Sequence, residues 1–337
     1  MANISILGAG SWGTALALLL HNNGHKVNVW SIDENEVNLI NDTHENPSKL
    51  PGIHIPKEIN FTTELESSCK GYDVLVTAVP SPFTRSTAKK MAPFITDGQI
   101  IVDVAKGIEE STQMRLSEQI LEEIPNADVT CLSGPSHAEE VAREIPTAVC
   151  IGAKSEKTAT YLQEIFTSRV FRVYTSPDMV GMELGGSLKN VIALAAGMSD
   201  GLGYGDNTKA ALITRGIKEI AALGVAEGGS SETFYGLSGM GDLIVTCDSV
   251  HSRNRKAGFL IGQGKSYQEA MDEVKMIVEG VYSAKAAMAL GKKHGLTLPI
   301  IEQVNKILFE GKNPREAVLE LMTRIPRSEH MAKPWEE

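Results

Sequence analysis

The chain has 337 residues, 42% of them hydrophobic and 22% charged, and its 32 Lys and Arg against 42 Asp and Glu leave a net charge of −10. That length exceeds one ordinary core and points to about two domains of a soluble globular protein. The acidic balance speaks against a nucleic-acid surface, so any anion site must be assembled locally from a few cations, and no uncharged run reaches membrane-spanning length.

The first predicted strand is ISIL, ending at Leu7, followed by Gly8-Ala9-Gly10-Ser11-Trp12-Gly13 and the helix-favouring run TALALLL. A Gly-x-Gly-x-x-Gly between strand and helix is the context of a dinucleotide site. Gly8 permits the tight turn, Gly10 lets backbone approach a pyrophosphate, and Gly13 lets the helix pack on the strand. The new helix then points its unpaired N–H groups at the phosphates. A second strand, Lys26 to Trp30, ends in Ser31-Ile32-Asp33, with Asp33 twenty residues beyond Gly13. An acid at that place binds ribose hydroxyls or caps the next helix.

Asn41 to Pro56 reads as a loop. Apolar runs then recur at Asp73 to Val79, Gln99 to Val104, Val129 to Leu132, Thr147 to Ile151 and Val170 to Tyr174. Helical patterns separate them, among them Ser86 to Met91, Met114 to Glu123 and Glu156 to Phe166. This alternation predicts an α/β fold with a mostly parallel, doubly wound sheet. Two stretches fall at the carboxyl edge where such sheets bind ligands: Lys106-Gly107, and Gly134-Pro135-Ser136-His137. Ser136 with Glu139 predicts a capping box, and His137 is either a general base or a structural residue.

From about Met179 the β-branched runs thin out, so the boundary is expected near Thr175 to Asp178, with an all-helical second half. Ser266 with Glu269, and Asn313-Pro314 with Glu316, mark helix starts there. The tail from Pro326 to Glu337 has no periodicity and is expected to be loosely held. Within Val180 to Met198 the only charged residues are Glu183 and Lys189. At helical spacing Lys189 faces Gly185, Gly186, Ile192 and Ala193, a surface that desolvates an ammonium and suits it to proton transfer. The two helical glycines imply close approach by another backbone or a cofactor.

Further on, Gly236-Leu237-Ser238-Gly239-Met240-Gly241 is a flexible turn that delivers Asp242, as a cap or as a functional carboxylate. Ser252-Arg253-Asn254-Arg255-Lys256 then puts three cations into the first turn of a helix, against its macrodipole. A bound monophosphate resolves the conflict, with Ser252 as cap, Arg253 as fork and Asn254 as neutral donor; a basic surface helix is the plainer reading. Cys69, Cys131, Cys150 and Cys247 have no CxxC spacing and read as reduced, apolar groups of a cytoplasmic protein. The N-terminus lacks a signal-peptide pattern, and no His or Cys cluster has metal-ligand spacing.

Taken together, GAGSWGTALA at 8 to 17, AKGIE at 105 to 109, GPSHAEEVA at 134 to 142, ELGGSLKNVIALAAGMSDGLGYGDNTKAALITRG at 183 to 216, GLSGMGDL at 236 to 243 and SRNRKAG at 252 to 258 carry a resemblance over nearly the whole chain. The chain resembles the bacterial NAD(P)-dependent glycerol-3-phosphate dehydrogenases. The resemblance implies a Rossmann-type dinucleotide domain, residues 1–178, followed by a helical substrate-binding domain, residues 179–337, usually paired as a homodimer. It implies reversible hydride transfer between NAD(H) or NADP(H) and carbon 2 of dihydroxyacetone phosphate, giving sn-glycerol 3-phosphate for glycerophospholipid synthesis. No metal, nucleic acid or membrane insertion is implied.

By the same resemblance Lys189 is the proton donor and acceptor, with Asp242 opposing and orienting it, and its pKa lies below the free value of about 10.4. Lys106, Gly134, Ser136, Lys189, Asp242, Ser252, Arg253 and Asn254 hold substrate. Ser11, Trp12, Lys106, Ala138, Arg253, Ile277 and Glu279 contact cofactor, together with Gly8, Gly10, Gly13, Ile32 and Asp33. Relatives that use NADPH often carry His or Arg where this chain has Ile32. An Asp33 with no adjacent base therefore predicts that NADH is used at least as well. Two rivals stand beside this reading. A related hydroxy-acid dehydrogenase lacks a reason for the basic turn at Ser252 to Lys256, and a non-catalytic NAD(H) sensor needs neither Lys189 nor Asp242.

Overall fold

The strands are β1 (Asn3–Leu7), β2 (Lys26–Trp30), β3 (Glu45–Asn46), β4 (Leu50–His54), β5 (Asn60–Thr62), β6 (Val74–Thr77), β7 (Ile100–Asp103), β8 (Asp128–Ser133), β9 (Thr147–Gly152) and β10 (Phe171–Ser176). Apolar, β-branched runs form β1, β6, β7 and β9, whereas β3 and β4 are short and carry polar residues, Gly and Pro. The computed structural model describes residues 1–326, 328 and 329; residues 330–337, most of the tail expected to be loose, lie outside them. Eight strands make one sheet in the order β10-β9-β8-β7-β6-β1-β2-β5. Its pairs are parallel except β8 with β9. β5-β2-β1-β6-β7-β8 is the doubly wound arrangement, whose order reverses between β1 and β6 and opens a ligand crevice at their carboxyl ends. β1, β6 and the inner part of β7 are buried on both faces, as their continuous apolar sequences require.

Asn41 to Pro56 is not a plain loop. The helix Glu34–Thr43 runs into it, and β3 pairs antiparallel with β4. Polar side chains hold this ribbon, which apolar periodicity does not register: Asn46 Nδ2 donates to Ala9 O at 3.0 Å and to Glu36 Oε1 at 3.1 Å.

After β10 every described element is helical. The helix Met179–Gly201 is buried along nearly its whole length, because its sequence is apolar or small on all faces. Around it pack Asp206–Ala226, Arg253–Gly262, Glu279–Lys293 and Pro299–Glu310, in a core separate from those on the two faces of the sheet. Ser266 and Asn313 cap helices as the sequence predicts. Among the described residues no helix is long and apolar enough to cross a membrane, and all four cysteines are free thiols.

Candidate active site

The carboxyl side of β7 and β8 meets the helix Met179–Gly201, where Ser187 Oγ donates to Gly107 O at 2.9 Å, and several of the residues singled out in the sequence gather along that seam. At β1, Gly8 adopts φ +128, and a Cβ there would lie 2.7 Å from Ala78 O. A Cβ at Gly13 would overlap the Gly8 carbonyl, whereas one at Gly10 would meet nothing within 4 Å. Gly8 and Gly13 therefore serve the protein's own packing, and Gly10 leaves an open backbone face. The helix Ser11–Asn22 starts there with no side-chain cap, so its first N–H groups are free for an anion. Ser11 Oγ donates to Lys49 O, and Trp12 is half-buried beside the turn.

At the end of β2, Ile32 is 73% exposed. Asp33 caps the helix Glu34–Thr43: its Oδ1 accepts from Asn35 N at 3.0 Å and Glu36 N at 3.2 Å. The sequence offered no base near Asp33, but folding brings Lys49 Nζ to 2.6 Å from Glu36 Oε1, where it is ion-paired.

Lys189 lies on the buried helix with its ammonium donating to Asp242 Oδ1 and, at 2.6 Å, to Thr246 Oγ1. Thr246 in turn donates to Asp242 O at 2.6 Å. From the sheet side Lys106 Nζ reaches Asp242 Oδ2 at 2.7 Å and donates to Gly134 O at 3.2 Å. Burial lowers the Lys189 pKa to about 7, against the pull of Asp242 and with the help of Lys106. Burial alone would raise Asp242, but the two ammonium groups outweigh it and keep the carboxyl below its ordinary value. The helical glycines are explained by contact: a Cβ at Gly185 would stand 2.8 Å from Ser238 O, and one at Gly186 2.9 Å from Ser133 Oγ.

Asp242 does not hang from a flexible turn. Leu237–Gly241 is a π-helical turn running straight into the helix Asp242–Asp248, a form common at functional sites. The capping box expected at Ser136 and Glu139 is also absent. The short helix Ala138–Val141 begins after His137, and Ser136 Oγ instead turns back to donate to Gly134 O at 3.0 Å. Burial, and after it the nearby charge of Lys189, push the His137 imidazole below its ordinary pKa.

Ser252 caps the helix Arg253–Gly262, accepting from Arg255 N at 3.2 Å. Arg253 is exposed at its start. Two expectations there need correction. The Asn254 carboxamide is not an outward donor: Nδ2 donates to Asn190 Oδ1 at 2.9 Å, and Oδ1 accepts from Gly280 N at 2.8 Å. What Asn254 leaves free is its N–H in the first turn. The cations are also not wholly uncompensated, because Arg255 is paired with Asp200. Ile277 is half-buried just before the helix Glu279–Lys293, and Glu279 accepts from Ser81 N at 3.1 Å and from Ser81 Oγ, joining the helical half to the loop after β6.

Lys106, Gly134, Ser136, Lys189 and Asp242 thus form one connected group, tied to Ser252–Asn254 through Asn190. Ile32 and Asp33 stand apart at the end of β2. Sequence reading missed Thr246, Asn190 and Ser81. Thr246, four residues after Asp242 on one helix face, carried a usable signal. Among the described residues no cluster of His, Cys, Asp or Glu is arranged to hold a metal ion.

The model of the NAD-dependent glycerol-3-phosphate dehydrogenase N-terminus matches residues 3–159, and that of the C-terminus residues 178–319. A glycerol-3-phosphate dehydrogenase (NAD(P)+) of Agathobacter rectalis is 62% identical over 335 residues, spanning 99% of this chain and 100% of the relative. One from Fusobacterium nucleatum is 56% identical over 331 residues, spanning 98% and 99%. The crystal structure of a glycerol-3-phosphate dehydrogenase from Coxiella burnetii superposes with a TM-score of 0.92 at 39% identity, covering 96% of this chain and 99% of that one. The chain belongs to the NAD-dependent glycerol-3-phosphate dehydrogenase family of oxidoreductases.

Proposed function

We propose that this chain interconverts dihydroxyacetone phosphate and sn-glycerol 3-phosphate, with Lys189 as the proton donor and acceptor. The observation that carries this is a buried lysine whose ammonium is held between Asp242 and Thr246 at the seam of the two halves, where burial lowers its pKa toward neutrality. A nicotinamide held at the glycine turn would supply or take up the hydride at carbon 2. The open face at Gly10 and the uncapped helix after it fit the pyrophosphate of such a cofactor. Ser11, Trp12, Asp33, Ala138, Ile277 and Glu279 would line the rest of its site, with Gly8 and Gly13 shaping the turn through their own packing.

As the carbonyl oxygen gains charge, the Lys189 ammonium stabilises it and then gives up its proton. A pKa near neutrality makes that transfer reversible, and Asp242 with Thr246 fixes the direction in which Nζ points. Lys106, Gly134 and Ser136 approach the substrate from the sheet. Ser252, Arg253 and the N–H of Asn254 take the phosphate, remote from the reacting carbon, and so orient it.

In this reading residues 1–178 bind the dinucleotide and residues 179–337 the substrate. The enzyme works as a cytoplasmic homodimer that supplies glycerophospholipid synthesis, and it uses NADH at least as well as NADPH. The test is loss of absorbance at 340 nm, a property of reduced nicotinamide, on mixing with NADH or NADPH and dihydroxyacetone phosphate. Oxidation of either cofactor only with the phosphorylated ketone supports the assignment. No oxidation despite nucleotide binding would refute it.

A further inference from the structure

Asp200, near the end of the helix that carries Lys189, has no part in the chemistry above, yet it gathers two cations. Its Oδ2 lies 2.8 Å from Arg255 Nε and 2.7 Å from Arg255 Nη2, and its Oδ1 lies 3.1 Å from Lys209 Nζ. The three side chains are 12%, 24% and 17% exposed, so solvent screens the cluster only in part. Arg255 belongs to the same first turn as Arg253, and the fork on Asp200 turns it away from the anion face.

The two helices joined by this fork also meet backbone to backbone. A methyl at Gly197 would overlap the Arg255 carbonyl, one at Gly258 the Leu194 carbonyl, and one at Gly201 the Phe259 carbonyl. Such packing sets the separation of the helices and leaves rotation about the contact to side chains. The Asn254 bond to Asn190 restrains that rotation on one side of the turn, and the Arg255 fork on Asp200 restrains it on the other.

We infer that Asp200 is a positioning residue for the phosphorylated substrate. By holding Arg255, it orients the first turn of Arg253–Gly262 so that Arg253 and the free N–H groups stand at a fixed reach from Lys189. It also keeps Arg255 from competing for the anion. The phosphate and the proton donor are then set on one rigid pair of helices, and the site selects substrates whose carbonyl and phosphate match that reach. The inference rests on the phosphate reading of Ser252–Asn254.

The test is Asp200→Asn, which keeps shape and removes charge. The KM for dihydroxyacetone phosphate is expected to rise about tenfold, the loss of one charge-assisted bond. Inhibition by inorganic phosphate, which has no carbonyl to align, is expected to stay within about twofold, and NADH affinity is expected to be unchanged. An unchanged KM would overturn the inference, as would a parallel weakening of substrate and inorganic phosphate, the mark of general structural damage. If Asp200→Asn does not fold, Arg255→Met and Lys209→Met carry the test. The first should raise KM about tenfold and the second should leave it within about twofold, since the fork remains; equal effects would overturn the inference. Arg253→Met separates the two readings. If it changes neither KM nor phosphate inhibition, the phosphate site itself is misassigned. If it weakens both while Asp200→Asn is silent, only the positioning role fails.

Discussion

Lys106 Nζ stands 2.7 Å from Asp242 Oδ2, an ion pair that joins the carboxyl end of β7 to the helical half. Asp242 therefore carries an ammonium on each oxygen, one from each side of the seam. The two cations oppose each other, and Lys106 is one reason why Lys189 loses its proton near pH 7. Reduction of the ketone needs Lys189 protonated, so its rate should fall as pH rises through about 7. Oxidation needs the neutral amine, so its rate should rise over the same range. Lys106→Met removes the repulsion and should move both inflections up by about one pH unit, whatever happens to the absolute rates. Profiles of kcat in the two directions measure this, and inflections that stay in place would refute the coupling.

Lys189→Ala removes the only proton donor proposed and should lower kcat by at least about a thousandfold. Binding of NADH, measured by fluorescence titration, should survive because the glycine turn is untouched. Turnover near the wild-type rate would exclude Lys189 from the chemistry.

The glycine turn makes a contrast that separates packing from binding. Gly10→Ala adds a methyl into open space and should leave the melting temperature unchanged, while a dinucleotide approaching that face loses affinity by about tenfold or more. Gly13→Ala pushes a methyl into the Gly8 carbonyl and should lower the melting temperature by several degrees. Equal effects of the two changes on stability would contradict the geometry.

Much of this was legible in the sequence because apolar periodicity and glycine spacing act over short stretches. The turn at Gly8 to Gly13, the buried setting of Lys189 and the cap at Ser252 each follow from neighbours within a few residues. Contacts made across the chain were not legible. Thr246 and Asp242 share a helix face, but nothing local says that Lys189 will meet them. Asn254 read as an outward donor because its partners, Asn190 and Gly280, are distant in sequence. Lys49 escaped notice beside Asp33 for the same reason: the ribbon that brings it to Glu36 is held by Asn46 rather than by an apolar pattern.

On the proposed cofactor reading, cofactor choice turns on that corner. Ile32 is exposed and apolar and Lys49 is ion-paired with Glu36, so neither offers a free cation to a 2′-phosphate beside Asp33. Ile32→Arg should raise the NADPH to NADH ratio of kcat/KM by about tenfold, through one new charge-assisted contact. A strong NADPH preference in the unaltered enzyme would refute the expectation that NADH is used at least as well.

Far from the seam, Glu219 ties two helices of the second half through a buried carboxylate. Its oxygens accept from Ile300 N at 2.8 Å and Ile301 N at 3.1 Å, in the first turn of Pro299–Glu310. Burial raises its pKa to about 7 from the ordinary 4.5, more than these two bonds lower it. The folded state therefore holds the proton more tightly than the unfolded chain between those values, and stability falls as pH rises through that window. The difference is at most about 3 kcal/mol, fully developed above about pH 7 and absent below about pH 4.5. Glu219→Gln, which cannot ionise, should remove this slope. Urea unfolding at pH 5 and pH 7.5 should then show the variant gaining on the wild type at the higher pH. A stability gap independent of pH would mean that Glu219 stays ionised in the fold and that its two N–H bonds outweigh its burial.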